Sequence, residues 1–99
     1  MLIVAGHFDV DPEQRDAFIA DREDSMRHSR TEAGCIQYVF SADPLESGRV
    51  LLFERWEDKG ALAAHLEGMR SGPRPSSDIK IHGMELQQYE ISDIGPVGS

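Results

Sequence analysis

The order of strand and helix signals along this chain predicts an α+β fold of the ferredoxin-like type, β-α-β-β-α-β, built on a four-stranded antiparallel sheet. Three observations carry this expectation. Asp11-Pro12 and Asp58 each mark a helix start directly after a strand-like stretch. A turn signal with Asp43-Pro44 at its centre separates two strand-like runs and makes them a hairpin. Apolar residues also occupy both faces of the third strand, Val50 and Leu52 against Leu51 and Phe53. Helices on one side of a sheet cannot cover both of those faces, so the pattern predicts two sheets packed face to face in a homodimer.

Taken in order, Leu2 to Val10 is rich in strand formers, with Leu2, Val4, Gly6 and Phe8 on one side and Ile3, Ala5, His7 and Asp9 on the other. Asp11 then caps a helix, Pro12 suits its first position and Gln14 stands where a capping-box partner would. That helix is expected to run to about Thr31 on a thin apolar face of Phe18, Ile19 and Met26, completed by the stems of Arg15 and Arg22. Gly34 stops it. Cys35 to Ser41 is the second strand, with Ile36, Tyr38 and Phe40 on one face, and Arg49 to Trp56 is the third. A second helix runs from about Lys59 to Met69, its stripe formed by Ala61, Leu62, His65, Leu66 and Met69. Gly72 to Ser77, rich in Pro and Ser, is a loop, and Glu85 to about Ile91 is the last strand. The reading is one domain over residues 1–94 and a flexible tail over 95–99.

The net charge is -8 and no Lys/Arg block occurs, so neither nucleic acid nor an anionic membrane is expected as a partner. No apolar run approaches the roughly 20 residues that span a bilayer. MLIVAGHF at the start has no basic leader and reads as a strand. The single cysteine, Cys35, excludes an intrachain disulfide and fits a cytoplasmic protein; it reads as a small buried hydrophobe. The histidines at 7, 28, 65 and 82 lack the close spacing of a metal pair, and no glycine-rich phosphate loop follows a strand. No metal and no cofactor are expected.

The stretch FERWEDKGALAAH, Phe53 to His65, organises the candidate site. Alternation sends Phe53 and Arg55 one way and Glu54 and Trp56 the other. The corner at Asp58 brings the only tryptophan, a carboxylate and the His65 imidazole towards the space between sheet and helix. His65 is then either an acid–base group or a partner that holds the corner together, for instance through Glu54. A buried Glu54 needs a partner, with Arg22 and His65 as candidates. His7 converges with His65 if its face meets the helices, and is an interface residue if it does not. Tyr38 can offer a hydroxyl at the pocket rim. Arg70, Arg74, Lys80 and His82 form the most basic part of the chain, either a steering patch or a solvated loop.

Gly34 and Tyr38, then Glu54-Arg55-Trp56, Asp58, Ala61-Leu62 and His65 together resemble the antibiotic-biosynthesis monooxygenase family over about residues 1–92. The resemblance implies a dimeric α+β barrel with a pocket in each subunit, between the sheet and its helices. It implies oxidation of a phenol, anthrone or quinol by O2 without a metal or flavin; the strand and helix readings above supply His7 and His65 as the catalytic candidates. Tyr38, Leu52, Phe53, Glu54 and Trp56 would bind the substrate. The alternative on the same scaffold is a non-oxidative ligand-binding protein or a cofactor-free isomerase. Two departures stand out. Anthrone-oxidising members carry Asn four residues before the Trp, where this chain has Leu52. The ligand histidine of haem-degrading members has no counterpart in Gly72–Ser77.

Overall fold

The computed structural model describes residues 1–72 and 78–98. Most of the loop expected over Gly72–Ser77 therefore lies outside the described residues, with Arg74 of the basic run and Ser99. Four strands, β1 (Leu2–Val10), β2 (Cys35–Ala42), β3 (Arg49–Trp56) and β4 (Ile81–Glu90), are joined by three α-helices among the described residues, α1 (Arg15–Ala20), α2 (Glu23–Ser29) and α3 (Lys59–Ser71). The sheet is antiparallel throughout and ordered β2-β3-β1-β4, as the ferredoxin-like reading requires. No helix among the described residues is long and apolar enough to cross a membrane.

The centre of the sheet is β1, which pairs with β3 from Leu2↔Trp56 to Asp9↔Arg49 and with β4 from Leu2↔Glu90 to Val10↔Ile81. Gly6 sits at the middle of β1 because β4 comes close there: a Cβ would overlap the Glu85 carbonyl. The last strand starts four residues earlier than its strand-forming residues suggest. Gly83 and Met84 find partners in Asp9 and Phe8, and a register shift at Asp9/Val10 admits Ile81.

The single first helix expected from Asp11 to Thr31 is instead three short pieces. Pro12–Gln14 makes one 3-10 turn closed by the Gln14 N–H on the Asp11 carbonyl at 2.9 Å. The Asp11 side chain does not cap it; its Oδ1 lies 2.8 Å from His82 Nε2. The chain bends again at Asp21-Arg22, where the Arg22 N–H turns back three residues to the Ile19 carbonyl at 3.0 Å. Between Ala20 and Ser25 there is no apolar side chain to hold a straight helix on the sheet, and only the Arg22 stem reaches inward.

A register shift between Cys35 and Gln37 corrects the phase of β2. Ile36 is the extra residue, so it leaves the core face it was expected to share with Tyr38 and Phe40 and is exposed. Gly34, at φ +83°, makes the turn before it, and a Cβ there would overlap the Ala61 side chain. The core lies between the sheet and the helices. Phe8, Phe18, Phe40, Tyr38 and Trp56 touch in sequence with ring centroids 5.6, 6.4, 5.9 and 6.4 Å apart. Burying each such ring contributes about 1.5–3 kcal/mol before entropy is counted.

Candidate active site

Alternation along β3 decides what reaches the helix side. Val50, Leu52, Glu54 and Trp56 are all buried there, while Leu51, Phe53 and Arg55 point to the opposite face. At the end of the strand Asp58 accepts the Ala61 N–H at 2.8 Å, a formed N-cap. This cap sets the phase of α3, which buries Leu62 and His65 over the end of β3 and leaves Leu66 and Met69 exposed.

His65 is only 3% exposed. Its ring lies against the indole of Trp56, 4.6 Å between centroids at 35°, and edge-on to Tyr38 at 5.3 Å. Nδ1 is 2.8 Å from Glu32 Oε1. In the tautomer that fits an accepting carboxylate, Nδ1 donates to Glu32 and Nε2 is the acceptor of the ring. Nε2 is buried without a hydrogen-bond partner among the described residues; Glu54 Oε1 is 3.9 Å away. Glu54 instead accepts the indole N–H of its strand neighbour Trp56 at 2.9 Å. Burial pushes the Glu54 carboxyl above the usual carboxylate range, and the Trp56 hydrogen bond and His65 partly oppose that shift. Burial likewise holds the Tyr38 phenol far above its ordinary value, with Glu54 adding to the shift and a hydrogen bond to Ser29 opposing it. Tyr38 is therefore a neutral donor, not a phenolate. Cys35 packs beside this cluster half-buried, its thiol pushed up by burial and by Glu32 and Glu54.

Two adjoining clefts open beside this layer, between α3 and the β1–β4 edge. One, of about 220 Å³, is floored by Leu2, Leu62 and Leu66 and reaches Gln88. The other, of about 440 Å³, runs past Met1 and Gly60 to Ile91. Lys59 borders both, with its ammonium 3.6 Å from Glu90. Leu2 pairs with Trp56 across β1 and β3, so the cleft floor is the neighbour of the His65–Trp56 stack.

Tyr38, Leu52, Glu54, Trp56 and His65 thus gather in one layer. His7 and Phe53 do not join them. His7 pairs with Leu51 and Glu85 on the helix-free face, with Nε2 3.6 Å from Asp9, so the two histidines are separated by the thickness of the sheet and cannot act on one ligand. Of the two expected partners of Glu54, His65 is present as an ion-pair contact at 3.9 Å and Arg22 is not; the close hydrogen bonds are Glu54 with Trp56 and His65 with Glu32. Glu32 carried no signal in the sequence: it stands in a turn, outside any periodic stripe, held by its N–H on the Ser29 carbonyl at 3.1 Å. No group of three or more His, Cys, Asp or Glu able to hold a metal occurs among the described residues.

Residues 1–69 match the family model described as antibiotic biosynthesis monooxygenase. The chain belongs to this family. A Bacillus subtilis member, "Putative monooxygenase YcnE", is 30% identical over 67 residues, 68% of this chain and 70% of that protein. The Synechocystis protein sll1783 is 32% identical over 94 residues; the match covers 93% of this chain but spans only 64% of that relative's length. Among solved structures, a Deinococcus radiodurans protein superposes with a TM-score of 0.76 at 18% identity over 100% of both chains. Rv0793 of Mycobacterium tuberculosis does so at 0.73 and 22%, over 96% and 98%. At these identities the structural likeness is one of fold. Family membership makes monooxygenase chemistry the first activity to weigh against the geometry of the His65 layer.

Proposed function

We propose that this family member is a homodimeric monooxygenase that oxidises a small electron-rich aromatic, a phenol, anthrone or quinol, with O2 and without a metal or flavin. The observation that carries the reading is the bare Nε2 of His65, buried, fixed by Glu32 from behind and stacked on Trp56. A base so placed takes the acidic proton of a substrate that enters beside the Leu2–Leu62 floor, which requires α3 to move outward, because Trp56 and His65 are buried and line neither cleft. The resulting anion gives one electron to O2, and the substrate radical and superoxide then combine to form a C–O bond. The peroxide loses water as its O–O bond breaks, leaving a carbonyl. The buried His65–Trp56 layer keeps bulk water from the radical pair, and the neutral Tyr38 phenol remains a donor. The helix-free face, with Ile3, Leu51 and Phe53, packs on its copy, and His7 belongs to that contact. The lone Cys35 suits a reducing cytoplasm.

The test follows dissolved oxygen and Trp56 fluorescence together while anthrones, naphthols and quinols are added. One O2 is expected per substrate, and His65→Gln is expected to lower kcat by about 10²-fold or more. Turnover at an undiminished rate under argon would refute direct use of O2. A second reading, a ligand-binding protein or cofactor-free isomerase, draws on one observation: with His7 on the opposite face, His65 lacks a second imidazole. Quenching without oxygen uptake would favour it.

A further inference from the structure

Resting on the reading of His65 as a base, we infer that Glu32 is its positioning residue and makes it a two-way proton carrier, whose Nε2 first takes the substrate proton and then returns it. Glu32 stands in the turn between α2 and β2, with its backbone held at both groups: its N–H donates to the Ser29 carbonyl and its carbonyl accepts the Cys35 N–H, each at 3.1 Å. A carboxylate on so fixed a backbone, 2.8 Å from Nδ1, sets both the orientation and the tautomer of the ring. The Glu32 side chain is 22% exposed and that of His65 only 2%. Water therefore reaches the carboxylate but not the ring, and a positive charge formed on the ring finds its counter-charge in Glu32. The other groups that face the ring do not serve this role. Glu54, on β3, is 3.9 Å from Nε2, accepts the Trp56 indole N–H and is pushed towards its neutral form by burial. Tyr38 and Cys35, on β2, stay neutral because burial raises both.

The same edge of α3 is the pinned one. Ala61, His65 and Gly68 recur along it at helical spacing: Ala61 packs on Gly34, and a Cβ on Gly68 would meet Glu32 Oε2 at 4.0 Å. Lys59, Leu62, Ala63 and Leu66 border the clefts on the other edge. When α3 moves outward to admit substrate, it can turn about the Glu32 edge and keep the Nδ1 bond. The proton then passes from the substrate to Nε2, giving an imidazolium held by Glu32. After the C–O bond forms, Nε2 gives that proton to the peroxide, which loses water as its O–O bond breaks. Nδ1 keeps its own proton on Glu32 throughout, so the pair ends as it began.

Two readouts test this, one of them on the protein alone. Nitrogen NMR of the histidine rings at neutral pH is expected to find the His65 proton on Nδ1 in wild type, and a mixture of both tautomers in Glu32→Ala. The second readout is oxygen uptake with anthrone, whose conversion to anthraquinone consumes O2 and releases water. Glu32→Gln keeps an acceptor for the Nδ1 proton but not the charge. It is expected to keep the wild-type tautomer and to lower kcat about tenfold or more, with KM within about twofold. Glu32→Asp, which keeps the charge, is expected to recover part of kcat. A His65 proton on Nε2 in wild type would overturn the inference, and so would equal kcat in Glu32→Gln and Glu32→Asp, which would make Glu32 a mere bolt on α3. The expected tautomers without oxygen uptake by wild type would uphold Glu32 as the group that fixes His65 and sink the oxygenase reading. Oxygen uptake undiminished in Glu32→Gln would do the reverse.

Discussion

Glu54 is a buried carboxylic acid with one hydrogen bond from its own strand, and that sets how stability depends on pH. Its folded-state pKa lies above the ordinary value because burial outweighs the Trp56 bond. Folding therefore takes up a proton: the stabilisation is fully present below the ordinary Glu range and is lost as pH rises through the raised folded-state value. Glu54→Gln keeps an acceptor for the indole N–H and is expected to remove that loss, so urea midpoints of the variant should meet or exceed wild type at neutral pH. An unchanged pH slope would count against this account. The burial of Glu54 was legible in the sequence, since it shares a strand face with Trp56. Its partner was not, because a hydrogen bond between residues two apart depends on indole orientation rather than on spacing. Glu32 was still less legible, being 33 positions from His65 and placed by a turn.

At the level of the elements, local chemistry and pattern agree best where a cap is strong. Asp58 was readable as a cap and forms one, so α3 starts at Lys59 as expected. Asp58→Ala should cost about 1 kcal/mol in chemical denaturation and, by freeing the phase of α3, should also weaken quenching of Trp56 by ligand. A variant that loses stability alone would show that α3 is held by Leu62 and not by its cap. Asp11 carries the same residue signal and fails as a cap, because His82, brought in by the early start of β4, takes its carboxylate. The bulge at Ile36 and the bend at Arg22 escaped the sequence for a related reason: the first shifts the alternation of a strand and the second interrupts a helix with a three-residue turn, and both patterns are read only by assuming that the repeat continues.

The whole molecule has one face roofed by helices and one that is not. On the second, Leu51 is 38% exposed and stands on the same face as Phe53 and Ile3. If that face is the dimer contact, Leu51→Glu is expected to convert a dimer into a folded monomer in sedimentation or light scattering, with circular dichroism unchanged; a dimer of undiminished affinity would place the contact elsewhere. The sheet is a single layer of backbone, and successive residues of β3 report on its two sides in turn. A deep mutational scan read along this strand should therefore not yield one smooth profile. Even-numbered positions from Val50 to Trp56 should register in abundance and odd-numbered ones in self-association, a two-beat record of the fold that sequencing alone could recover.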